Sequence, residues 1–204
     1  MRTLLTALLR LAQLLLVWAI LAPLHLAFAQ NDNPLAGMTE VTAARGLTAP
    51  QPESDDADVR HGQYMVGLLG CTSCHTDGAL IGEPDLDKSL AGSSIGIAYT
   101  NPMTGRHPGV VYPGNLTPDP ETGLGNWTEE QIVTLLRSGT GRHGRQTRPI
   151  MPWISYVQLS DEDAVAIARY LQSLPAVRHK VPNAVPPGTP SKTPLVHVGL
   201  YRSR

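Results

Sequence analysis

The chain has 204 residues, room for one ordinary domain plus extensions. A formal net charge of −1 gives no basis for a nucleic-acid partner. Aromatic residues make up only 5%, with the single Phe at position 28 and one Trp at position 18, so large apolar side chains can fill only a modest core.

The first 29 residues, MRTLLTALLRLAQLLLVWAILAPLHLAFA, carry Arg2 and Arg10 and no acid, then a leucine-rich run ending in Ala27-Phe28-Ala29. That is the layout of a secretory signal peptide cleaved before Gln30, and it predicts export to the periplasm. A retained anchor is the competing reading, with membrane association through the N-terminus. The apolar run Leu11–Phe28 is barely long enough to span a bilayer, and Gln13, Pro23 and His25 interrupt it. Residues 30–54 are small and polar without apolar period and read as a flexible linker.

Three helical segments come next, in a domain expected over residues 55–178. DDADVRHGQYMVGLLG opens on acids suited to a helix N-terminus, carries Val59, Met65, Val66, Leu68 and Leu69, and ends at Gly70. In WTEEQIVTLLRSG, Thr128 and Gln131 have capping-box spacing, Ile132, Leu135 and Leu136 share a face, and Gly139 is placed as the stop. In LSDEDAVAIARYLQSLP, Ser160 caps, acids fill the first turn, and Ala164, Ile167, Ala168, Leu171 and Leu174 form one stripe before Pro175. No alternating strand pattern competes, so an all-α domain with long loops is expected. Residues 179–204 form a Pro-rich basic tail, extended and packed on the domain through Leu195, Val196, Val198 and Tyr201. Beyond Asp163 there is no acid, while Arg169, Arg178, Lys180, Lys192, Arg202 and Arg204 are basic. This is either a solvated end or a docking surface for an acidic partner or membrane.

The two cysteines of the chain lie in LLGCTSCHTDGALIG, as Cys71 and Cys74, with His75 next. This C-x-x-C-H spacing is an attachment motif for c-type haem. Two thiols on one turn can add to the porphyrin vinyl groups, and the adjacent imidazole can bind iron. A flat apolar group would also fill what a side-chain-poor core does not. A zinc site would need a second ligand pair, which is missing, and a thioredoxin-like dithiol would need strand–helix alternation. The sequence thus predicts one covalent haem c, with Cys71 and Cys74 as thioethers and His75 as the proximal ligand. For the opposite iron face, Met151 in RPIMPWISY is favoured because Pro149 and Pro152 lock its loop. Met103, in glycine-rich surroundings, and His143 are the remaining candidates.

Three stretches carry a family resemblance: HGQYMVGLLGCTSCH, NLTPDPETGLGNWTEEQIVTLLRSG and PIMPWISYVQLSDEDAVAIARYLQSLP. Together they span about residues 58–178 and resemble a class I c-type cytochrome domain. More narrowly, they are similar to the haem domains in cytochrome subunits of bacterial membrane-bound alcohol, aldehyde and gluconate dehydrogenases. The resemblance implies a class I cytochrome c fold, three to five helices wrapped around one covalent haem, with His75/Met151 ligation and one-electron transfer. It further implies a close crossing of the first and last helices at Gly62, against Tyr170 or Leu171. Asn115, Leu116, Thr117 and Pro118 would line the proximal side, the Pro118 carbonyl accepting from the second ring nitrogen of His75. Trp127 and Trp153 are candidate pocket residues whose indole N–H groups could meet a propionate, and Arg142, Arg145 and Arg148 could pair with propionates or a partner. Two departures stand out. Those subunits carry three such domains and this chain one, and residues 83–114 make a longer connection than the family's usual one.

The expected function is that of an exported electron carrier or the non-catalytic cytochrome subunit of a periplasmic dehydrogenase complex. Its partners would be a dehydrogenase subunit, another cytochrome or a terminal oxidase. The alternative is a haem enzyme with a labile sixth ligand acting on a small inorganic substrate. A four-helix gas sensor is disfavoured because its haem motif lies near the C-terminus.

Overall fold

The computed structural model describes residues 39–102, 105, 107–140 and 150–198, with Trp153 described by its backbone alone. The expected signal peptide, Met103, Arg142, His143, Arg145, Arg148 and Tyr201 lie outside the described residues, as does the side chain of Trp153.

Helices α1 (Ala57–Leu68), α2 (Cys71–His75), α3 (Glu129–Ser138), α4 (Trp153–Tyr156) and α5 (Asp161–Gln172) are found among the described residues, with short 3-10 turns at Ala79–Ile81 and Leu86–Lys88. The caps form as their sequences dictate. Asp56 accepts from the Asp58 N–H, Ser160 from the Asp163 N–H, and Thr128 and Gln131 close a reciprocal capping box. Each satisfies donors that a helix start leaves open, and substituting such a cap costs about 1 kcal/mol.

Helices α1 and α5 cross at Gly62. A Cβ there would overlap the Ala166 carbonyl and come 2.7 Å from the Tyr170 Cβ, so only glycine permits this approach. Val59, Met65 and Val66 of α1 meet Ile167, Ala168, Tyr170 and Leu171 of α5 in the main apolar cluster, joined by Leu90, Leu124, Ile132, Leu136 and Tyr156. Arg169 ties the three long helices together at the surface, pairing with Asp58 of α1 and Glu129 of α3. A second, smaller cluster contains Leu80, Ile95 and Ile97.

The expectation of an all-α domain is corrected by a three-stranded sheet in the order β2-β1-β3, formed by β1 (Gly96–Ala98), β2 (Val110–Val111) and β3 (Leu195–Val196). β1 pairs antiparallel with β2, Ile97 opposite Val111, and parallel with β3, Ile97 opposite Val196. The domain is mostly helical with this small sheet. The long connection thus supplies two strands of the sheet, and the tail supplies the third. Leu195 and Val196 pack as expected, but Val198 is 83% exposed. The second half of the expected linker is not free. The Tyr170 hydroxyl donates to the Pro50 carbonyl at 2.6 Å, Gln63 to the same carbonyl, Thr72 to that of Leu47, and the Ala44 N–H to Ala79. Backbone carbonyls of an irregular segment serve as acceptors for helix side chains, and Ala49 is buried with them.

Candidate haem-binding site

Cys71, Cys74 and His75 fall on the single turn of α2, started by Gly70 in a left-handed conformation (φ 69). The side chains of both cysteines are half-buried. Burial pushes the Cys71 thiol up to about 11 and raises that of Cys74 as well.

The His75 ring is fixed on one side: Nδ1 donates to the Gly114 carbonyl at 2.8 Å. This corrects the expected acceptor, the Pro118 carbonyl, which instead faces Gly125. The chain turns sharply after Thr117, so the carbonyl four residues earlier reaches the ring. The main-chain carbonyl of His75 is held too, accepting from the Gly92 N–H at 2.8 Å. Burial lowers the His75 pKa, against a smaller raising effect of the Gly114 bond. The imidazole is thus neutral with Nδ1 protonated, leaving Nε2 as its free lone pair, the state an iron ligand needs.

Leu90, on the same loop as Ala91 and Gly92, is fully buried with φ 58, the positive-φ non-glycine residue among those described. Such a conformation costs about 1–2 kcal/mol. It is held by the Leu90 N–H donating to the Thr76 hydroxyl and the Leu116 N–H donating to the Leu90 carbonyl.

Asn115 does not present a free polar group. Its amide donates to the Val177 carbonyl at 2.7 Å and to Thr122, while its oxygen accepts from the Thr117 N–H and hydroxyl. Leu116 and Trp127 are half-buried against the main cluster, and the Trp127 carbonyl accepts from Gln172. In DPETG, Asp119 accepts from Glu121, Thr122 and the Thr122 hydroxyl, which is a turn lock.

Two adjacent pairs bridge the two apolar clusters. Cys71 packs against the main cluster and Cys74 against the small one; Met151 packs against the main cluster and its neighbour Ile150 against the small one. Tyr156, which donates its N–H to the Pro152 carbonyl, joins these pairs. It is buried in the main cluster, and burial first, then the charges of Cys71 and Cys74, would push its hydroxyl up to about 12. No sequence signal singled out Tyr156 or Gly114. Leu69, Leu116, Trp127, Val133 and Met151 are half-buried against the main cluster, apolar surface that a flat apolar group could cover. Two cysteines on one helical turn, an imidazole with one free lone pair and half-buried apolar side chains fit a covalently held porphyrin.

A family profile described as Cytochrome c matches residues 59–175, more than half of the chain. The chain belongs to the cytochrome c family, whose domains hold covalent haem c and carry electrons. It is 35% identical over 134 residues to the cytochrome c subunit of a quinone alcohol dehydrogenase of Gluconobacter oxydans (strain 621H), covering 63% of this chain and 25% of that one. Against the fructose dehydrogenase cytochrome subunit of Gluconobacter japonicus it is 34% identical, covering 62% and 23%. Against the gluconate 2-dehydrogenase cytochrome c subunit of Pantoea cypripedii it is 31% identical, covering 58% and 23%. The chain spans about a quarter of the length of these relatives.

Proposed function

We propose that this chain is an exported class I cytochrome with a single haem, working in the periplasm as a one-electron carrier or as the cytochrome subunit of a dehydrogenase complex. Cys71 and Cys74 would form the thioethers, and His75, through Nε2, and Met151 would ligate the iron. The observation that carries the reading is the paired bridging of the two clusters by Cys71/Cys74 and Ile150/Met151. When bound, the haem supplies reversible one-electron redox chemistry. The residues of the chain hold it, keep water from its apolar faces and set the basicity of its ligands. The relatives' names support a dehydrogenase as partner.

Replacing Met151 by Leu keeps the apolar volume and removes the sulfur. The expected result is loss of the far-red thioether–iron absorption and a lowered potential, with haem still attached at one per chain. Retention of the band would move the ligand to Met103, and rapid carbon monoxide binding by the reduced wild type would instead favour an open-site haem enzyme.

A further inference from the structure

Val177, at the end of the domain, and His179 and Val181, at the start of the tail, grip the two loop segments that hold His75. One segment, Ala91–Gly92, holds its main-chain carbonyl, and the other, Gly114–Thr117, holds its ring. The Val177 carbonyl accepts from the Asn115 amide at 2.7 Å and from the Thr117 hydroxyl at 3.2 Å, and the Val177 N–H donates back to that hydroxyl at 3.1 Å. Two residues on, the His179 ring donates from Nδ1 to the Ala91 carbonyl at 3.0 Å, and its N–H donates to the Thr122 hydroxyl. Next, Val181 closes over Gly92. A Cβ at Gly92 would lie 2.6 Å from the Val181 Cγ1, and the residue sits at φ 89.

The chain therefore touches both walls within five residues, and further along the tail is anchored again. Val185 exchanges both backbone bonds with Val110, Tyr112 meets Ser191 and Thr193, and β3 completes the sheet. The walls also meet directly: Gly92 packs on the Gly114–Asn115 backbone, the Leu116 N–H donates to the Leu90 carbonyl and the Ser93 N–H to the Pro113 carbonyl. A helix-bundle core needs none of these tail contacts to bury α1 against α5. Their common consequence is the position of the Gly114 carbonyl relative to the His75 ring.

We infer that residues 177–181 are a positioning clamp for the proximal histidine: they hold the Gly114 carbonyl against Nδ1 and thereby set the basicity of the iron ligand. The inference rests on His75 being that ligand. A firm Nδ1–H bond makes imidazole a stronger donor and favours the oxidised iron. Loosening the clamp weakens the bond and raises the midpoint potential.

The test uses uncharged substitutions in the full holoprotein, so that no change of net charge moves the potential. Thr117→Val removes the hydroxyl at both Val177 bonds, and Val181→Ala removes the side chain over Gly92 while keeping every hydrogen bond. Both should raise the midpoint potential and shift the ferric haem-methyl proton resonances, with Thr117→Ser returning toward wild type. Tyr112→Phe, which loses only the distal anchors Ser191 and Thr193, should leave both readouts unchanged. Val181→Ala keeps the test decisive if Thr117→Val fails to take up haem. Clamp variants that lose thermal stability with no change in potential or haem-methyl shifts overturn the inference alone. A wild-type ferric spectrum without histidine ligation overturns both it and the reading beneath it.

Discussion

The segments carrying His75 and Met151 are built from different materials. His75 is held by hydrogen bonds at its ring and at its main-chain carbonyl, and the loops that make them are locked by Asn115, Thr117 and the tail. Met151 sits in a Pro-framed loop, half-buried against apolar side chains. The segment after Met151 is steadied by the Pro152 carbonyl, which accepts from Ser155 and Tyr156, by the Gln158 and Leu159 N–H groups, which donate to the Ser155 and Tyr156 carbonyls, and by Arg137, which donates to the Leu159 carbonyl at 2.7 Å. Directional bonds fix an orientation, whereas apolar packing fixes mainly a volume. On the proposed ligation, the first side sets donor strength and the second is the side able to let go.

The largest effect should come from wedging the hydrogen-bonded side. Gly92→Ala puts a Cβ 2.9 Å from the Asn115 nitrogen and 2.6 Å from Val181, at a φ that L residues rarely adopt. Left-handed strain and overpacking together should cost about 2–5 kcal/mol. The drop should be visible as a lowered denaturation midpoint of the holoprotein. A loss below about 1 kcal/mol would mean that this wall yields easily, and the contrast between the two sides would collapse.

A smaller effect is expected at Arg137, on the Met151 side. Its Nη2 holds the Leu159 carbonyl and its Nη1 meets Asp161 at 2.6 Å, while its buried Nε has no partner. Arg137→Met keeps the aliphatic stem and removes the bond to Leu159. The stability loss should be near 1 kcal/mol, because removing the unsatisfied Nε partly offsets the lost bond. Imidazole should nevertheless displace the sixth ligand several-fold faster than in wild type. An unchanged displacement rate would show that the loop is held by packing alone.

The same contrast decides what could be read in advance. Helices α3 and α5 were legible because Thr128, Ser160 and the apolar stripes act over a few residues along the chain. Gly62 was legible once a helix crossing was expected, since few residues besides glycine serve there. The sheet was not legible. Its strands are two or three residues long, β1 is buried throughout with no alternation to see, and its parallel partner lies about a hundred residues away. The same holds for the Gly114 carbonyl and for those of Leu47, Ala49 and Pro50. Every residue has a carbonyl, so which one a side chain reaches depends on the path of the loop. Tyr156 looks like any core aromatic until the fold places it near the thiols.

The smallest effect should lie away from both sides, at the exposed pair of His61 Nε2 and Asp163 Oδ1, 2.7 Å apart between α1 and α5. The hydrogen bond from His61, then that from Ser160, holds the Asp163 carboxyl below the usual carboxylate range. A depressed carboxyl stabilises the fold above its unfolded pKa, and that contribution fades as pH falls through the folded value. Asp163→Asn should therefore cost only about 0.2–1 kcal/mol at neutral pH, with the gap to wild type closing below about pH 4. Salt should shrink the gap as well, since both partners are open to solvent. The potential and the far-red band should stay where they are, because this pair lies on the outer side of the helix crossing, away from His75 and Met151. A shift of either readout would mean that the helix crossing, and not the local walls, sets the iron's environment.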